Sequence, residues 1–368
     1  MLISDIIKIF DVWAPKWVAW EKDNVGLQVG DSNRNVKRIL VTLDVTKQVI
    51  QEAIAGKYEL IVSHHPLLFR PPSTITRQDH IGELVLLLAE HKIALFSAHT
   101  NLDYTRDGVS FSLAKSLGLE KIRFLTPIKK TLAKIVVFIP DGYVEKVQKA
   151  MTDAGAGIIG EYSSCSFGIK GLGSFRGSNS SNPFLGRRGV LEHVEETRLE
   201  MICPRASVEH VINAMKFSHP YEEVAYDVYE VENPSPNFGM GAIGNLKKEQ
   251  SLRAFLKIIK HKLGSEAIRY SGKLSKTIKR VALCGGGGSE LLFDAITVGA
   301  DAFITADVRY HMFNTAQDKI ALIDAGHFET EQIIVRPVAE RLLSAARHLQ
   351  QSLNVSITKY LSNPIKTI

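Results

Sequence analysis

Short apolar runs alternate along this chain with longer stretches whose apolar positions recur every three or four residues. The runs Ile39-Leu40-Val41-Thr42-Leu43, Leu60-Ile61-Val62 and Ile93-Ala94-Leu95-Phe96-Ser97 read as buried strands. Helical spacing predicts helices over 48–55, through Ile81, Leu84, Val85 and Leu88, and over 109–117, the last stopping at Gly118. Ahead of them, Ser4 is placed to cap a helix through Ile6, Ile7, Ile9 and Phe10. Trp20 to Gly30 has turn residues on both sides of a brief apolar alternation and reads as a tight turn leading into an edge strand.

The same alternation returns in the last third. After a helix over 252–263, Val281-Ala282-Leu283, Ala302-Phe303-Ile304-Thr305 and Ile320-Ala321-Leu322-Ile323 read as strands. Gly285 to Gly288 then opens a helix through Leu291, Leu292, Ala295 and Ile296, by a turn that either packs tightly or cradles an anion. Pro337 kinks or restarts the helix that runs on to Ala346. Strand and helix alternation predicts an α/β fold of parallel sheets covered by helices, in two similar halves that form one core.

Between the halves the character changes. A strand over 133–140, a helix over 143–154, a strand over 198–204, a helix over 208–218 and a strand over 224–231 frame a Gly/Ser/Asn-rich stretch from Gly168 to Gly189, read as turns and a mobile loop. The order β-α-β-β-α-β is that of a ferredoxin-like α+β domain. Boundaries are therefore expected at 1–128 with 236–368 for the core and 129–235 for the insertion, with Asn233-Pro234-Ser235-Pro236 as the linker out. The phrase His219-Pro220-Tyr221-Glu222-Glu223-Val224 resembles the CutA family, relatives of the PII signalling proteins, and implies a trimer-forming or small-ligand-sensing module.

Composition narrows the function classes. The 368 residues are 45% hydrophobic and 23% charged, which is ordinary for a globular chain with two or three cores. A net charge of +6 without a dense Lys/Arg stripe does not suggest nucleic acid as a partner. Three cysteines, Cys165, Cys203 and Cys284, lack thiolate-cluster spacing, and no run is long enough to span a bilayer, so a cytoplasmic protein is expected.

The chemistry lies at the strand ends, where open α/β sheets bind ligands. His64 and His65 fall where the strand Leu60-Ile61-Val62 stops and Pro66 ends any ladder. Two adjacent imidazoles with one lone pair each suit one crowded ion or two ions. His99 and Asp103 follow the next strand, and His327 and Glu331, four residues apart, share a helical face.

Asp23 to Gly30, Ser63-His64-His65-Pro66, His99-Thr100-Asn101-Leu102-Asp103, Gly285 to Glu290, and Gly326-His327-Phe328-Glu329-Thr330-Glu331 together resemble the NIF-three-like proteins, also called GTP cyclohydrolase I type 2 homologues. The resemblance implies a dinuclear metal cleft held by His64, His65, Asp103, His327 and Glu331, with the glutamate bridging, and a toroidal homohexamer. It implies two divalent transition-metal ions per chain, zinc foremost, with iron or manganese also compatible with the donors. The activity it implies is metal-dependent hydrolysis of a nucleotide or related heterocycle; the alternative is a regulatory or metal-handling protein whose insertion senses a small ligand. His99, Asp307 and His311 are candidates for orienting the ligands or moving protons.

Overall fold

The structure, a computed structural model, describes residues 1–366. The chain divides into two compact units: Met1–Thr126 together with the described residues from Asn237 onward, and Pro127–Pro236.

In the first unit a five-stranded sheet takes Arg38–Thr42, Leu60–Ser63 and Ala94–Ser97 as parallel neighbours. Gly26–Val29 adds an antiparallel edge beside Ala94–Ser97, and Asn354–Ile357 closes the other edge in parallel with Arg38–Thr42. Because side chains alternate along a strand, each apolar run feeds two cores. Ile39, Val41, Leu60, Val62 and Phe96 pack with the helices Ile3–Trp13 and Val335–His348. Leu40, Ile61 and Leu95 pack on the other face with Lys47–Ala55 and His80–Glu90.

A second, six-stranded sheet holds Thr277–Gly287, Ala302–Ala306 and Ala321–Asp324 in parallel, flanked by Arg269–Tyr270 on one side and the long strands Gly239–Ser251 and Leu119–Pro127 on the other. Phe303, fully buried, faces the helix Leu292–Thr297, whereas Val281, Ile304 and Ile323 face Val109–Ser116 and Leu252–Leu263. Burial of one such side chain contributes roughly 1.5–3 kcal/mol.

The unit Pro127–Pro236 is an antiparallel sheet in the spatial order Phe167–Arg176, Leu191–Pro204, Leu132–Pro140, Tyr226–Val231, with helices Val144–Asp153 and Val208–Ser218 sharing its core.

Several sequence expectations are corrected. The first helix starts at Ile3, so Ser4 is not its cap; the Asp5 carboxylate accepts from the Leu2 amide at 3.0 Å instead. The stretch read as a loop from Gly168 is an edge strand as far as Arg176, paired residue for residue with Leu191–Glu200. Its glycines concealed it: at Gly173 a Cβ would stand 2.3 Å from the Glu196 carboxylate, so the bare backbone is what lets that side chain lie across the strand. The strand ahead of the glycine run extends to Gly287, and the following helix begins only at Leu292. A new helix starts at Val335 with Pro337 in its first turn, where a missing amide costs nothing.

Candidate metal centre

The C-terminal ends of the central strands of both sheets meet within the first unit. Two residues past Arg38–Thr42 stands Asp44; His64 and His65 end Leu60–Ser63; His99 and Asp103 follow Ala94–Ser97. From the second sheet come Asp307, just past Ala302–Ala306, and His327 and Glu331 on the short helix after Ala321–Asp324. His65 Nε2 lies 2.8 Å from Glu331 Oε2, so residues 266 positions apart share one hydrogen bond.

Each imidazole is oriented through its Nδ1. His64 Nδ1 donates to the Ala98 carbonyl at 2.8 Å, which fixes the proton there and leaves the lone pair on Nε2. The Nδ1 of His65 meets the Asp44 carboxylate at 2.7 Å, that of His99 meets Asp23 at 3.0 Å, and that of His327 meets Asp307 at 2.6 Å. Asp307 has a left-handed backbone (φ 54°), an unfavoured conformation for an aspartate that aims its carboxylate at His327. Such histidine–carboxylate pairs orient metal-binding imidazoles.

Within this cluster two buried atoms, His64 Nε2 and Asp103 Oδ1, have no hydrogen-bond partner. They face each other at 3.6 Å, and His64 Nε2 is 3.8 Å from Glu331 Oε1. These gaps exceed hydrogen-bond length, and unsatisfied buried polar atoms are costly. A lone pair and two carboxylate oxygens aimed into one dry space are the donor set a divalent cation takes. Three donor groups overlap here: His64 with Asp103 and Glu331; His65 with His327 and Glu331; and His64 with His65 and His99.

Electrostatics agree. Burial works against a charge on His65, but hydrogen bonds to Asp44 and Glu331 outweigh it and raise its pKa to about 10. His327 is raised to about 9, first by its hydrogen bond to Glu331 and despite burial. Burial lifts Asp103 to about 6, offset in part by the nearby His64. Burial would also lift Glu331, yet His327, His64 and His65 hold it well below the usual carboxylate range. Glu331 thus carries the negative charge on which the cluster converges.

The glycine run is a packing device. A Cβ at Gly286 (φ +62°) would stand 2.0 Å from Glu331 Oε1. The Gly286 and Gly288 amides donate to Thr330 Oγ1 at 3.0 Å and Thr305 Oγ1 at 2.9 Å, so they are not available to cradle an anion.

The five residues from the family resemblance, His64, His65, Asp103, His327 and Glu331, come together, with His99 beside them and Asp307 behind His327. His311 does not join: it is exposed and packs edge-on to Tyr310, with ring centroids 5.5 Å apart. Asp44 and Asp23 were missed by the sequence reading; for Asp44 the available signal was a carboxylate just past a central strand. Asp23 also accepts from the Thr100 amide at 3.0 Å. Farther along the same turn, Gln28 accepts from the Leu68 amide at 3.0 Å, holding the segment after His65. That segment presents Phe69, stacked with Trp20 at 6.4 Å between centroids and edge-on to His99 at 6.1 Å.

A model of the Duf34/NIF3 (NGG1p interacting factor 3) family matches residues 1–364. A Bacillus subtilis (strain 168) protein called GTP cyclohydrolase 1 type 2 homolog is 39% identical over 363 residues, 98% of this chain and 97% of that protein. A Mycobacterium tuberculosis protein of the same description is 34% identical, over 98% of this chain and 96% of its own length. The crystal structure of a Bacillus cereus protein related to NIF3 superposes with a TM-score of 0.90 at 35% identity, covering 100% of this chain and 99% of that one.

Proposed function

This chain belongs to the Duf34/NIF3 family, and from that premise we propose that it is a dinuclear metal-binding protein that hydrolyses a nucleotide or related heterocycle. The observation that carries the reading is the pair of buried, unpartnered donors, His64 Nε2 and Asp103 Oδ1, aimed at Glu331. One ion would be held by His64, Asp103 and Glu331 and a second by His65, His327 and Glu331, the glutamate serving both. Zinc suits these donors first, and iron or manganese also fits them. When bound, such a pair polarises a carbonyl or phosphoryl oxygen and acidifies water.

The residues supply the rest. Asp44 and Asp307 fix the rings of His65 and His327 and accept charge from them. His99, held through Nδ1 by Asp23, would pass a proton beside the cluster. Trp20 and Phe69, both exposed, offer a face on which a planar base can stack. A cytoplasmic location is supported by three free cysteines, and no helix among the described residues is long and apolar enough to cross a membrane. The homohexamer implied by the resemblance is proposed as well, and sedimentation velocity showing six chains per particle checks it.

The deciding experiment is metal analysis together with a hydrolysis screen that includes GTP on purified protein. Two ions per chain and a turnover lost in His65→Ala support the proposal; turnover that persists in metal-stripped protein removes it. A regulatory reading, in which the insertion senses a small ligand, is favoured by a cavity in the unit Pro127–Pro236.

A further inference from the structure

We infer that the unit Pro127–Pro236 carries a binding site of its own, for a small organic cation. The site does not rest on the metal centre, since every residue that forms it lies between Phe138 and Ala225. A cavity of about 350 Å³ opens between the end of the edge strand Phe167–Arg176, the following loop and the turn after the helix Val208–Ser218. That volume accommodates a ligand of one or two rings.

Its walls are built. His219 donates from Nε2 to the Phe138 carbonyl at 3.0 Å, and its Nδ1 accepts from the Tyr221 amide at 3.1 Å, so this imidazole is neutral and locks the turn. The Asn182 amide donates to Glu222 Oε1 at 2.7 Å and latches the loop to the same turn. Four aromatic rings gather there: Tyr221 lies 6.4 Å from Phe175 and 6.2 Å from Phe184, and Phe184 stands edge-on to Tyr143 at 5.6 Å.

The polar groups select the charge of the occupant. The Tyr221 hydroxyl oxygen is shielded from solvent, with the Glu196 carboxylate beside it. Burial, and then the Glu196 carboxylate beside it, keep that hydroxyl protonated well above the usual phenol range. Glu196 itself lines the cavity, and among the described residues no lysine, arginine or histidine nitrogen is paired with it within 4 Å. Three carboxylates, Glu196, Glu222 and Glu223, stand against one guanidinium, Arg176. Aromatic faces around an unpaired carboxylate recognise a substituted ammonium through cation–π attraction and charge pairing. An anion would meet the acidic side, and a neutral ligand would leave the negative charge of Glu196 uncompensated.

Calorimetric titration of the full chain with choline, and with 3,3-dimethylbutanol as its neutral isostere, tests the site. Choline is expected to bind, the isostere at least about tenfold more weakly, and Glu196→Gln to weaken choline by a similar factor. Phe184→Ala, in an exposed loop, should weaken it without lowering the melting temperature, and serves if Glu196→Gln does not fold. The inference is overturned by no choline binding at about 10 mM, by equal binding of the isostere, or by undiminished affinity in Glu196→Gln and Phe184→Ala.

Discussion

Glu331 serves three imidazoles with one carboxylate: His65 at 2.8 Å, His327 at 3.1 Å and His64 at 3.8 Å. Asp103 belongs to only one of the three donor groups, that of His64 and Glu331. Glu331→Gln is therefore expected to abolish loading of both ions and Asp103→Asn to spare one, as zinc titration calorimetry would show; equal residual stoichiometry would remove the bridging role. Because Glu331, with Asp44 for His65 and Asp307 for His327, holds both imidazoles protonated, a cation entering the cluster must displace protons. Zinc uptake at neutral pH should release about two protons per chain, read with an indicator dye in weak buffer. A third expectation concerns Gly286, where a Cβ would strike Glu331 Oε1 in a backbone conformation that side chains rarely adopt. Gly286→Ala should cost roughly 1–3 kcal/mol and most of the bound metal. In Gly287→Ala the nearest atom, Asp307 Oδ2, would be 3.6 Å away, so melting temperature and metal content should stay near the parent's.

The elements that carry ligands were legible because each announces itself locally. An apolar run ends, a histidine follows, and the ligand sits at a strand's carboxyl end; for His327 and Glu331 the helical spacing does the same. The elements that orient those ligands were not. Asp23 lies 76 residues from His99, and nothing periodic connects them. Its turn was read as an entry to an edge strand, which it is, but the same turn ties together the segments bearing His99 and Phe69. The effect of that tie depends on pH. Burial would raise the Asp23 pKa from 3.8, but His99 and Thr100 lower it to about 2. A folded value below the unfolded one means stability that is present above about pH 4 and is lost as pH falls toward 2. Asp23→Asn should therefore cost about 1–3 kcal/mol at neutral pH, and denaturant midpoints of variant and parent should converge on acidification. A constant difference down to pH 2 would show that the carboxylate charge is not what holds the turn.

At the scale of the whole molecule, alternating strands and helices made the two α/β halves readable, because each parallel strand is buried on both faces and so nearly all apolar. The strands Leu119–Pro127, Gly239–Ser251 and Asn354–Ile357 went unseen: their burial is mixed, and their partners are distant in sequence. The insertion can be tested as a unit because the apolar cores do not mix. Ile135, Val137, Met151, Leu199 and Met215 form a cluster drawn wholly from residues 127–236, while the clusters around Val62, Ile61, Ile304 and Phe303 draw on none of them. Every metal-competent residue of the centre lies outside that range as well. Deleting residues 129–235 and joining the flanks is therefore expected to leave a cooperatively melting protein that still takes up metal in the parent's stoichiometry. Thermal denaturation followed with and without zinc, alongside elemental analysis, measures both properties. A truncated chain that folds but binds no metal would mean that the insertion shapes the centre from a distance, and one that stays insoluble would mean that the core needs the insertion to fold.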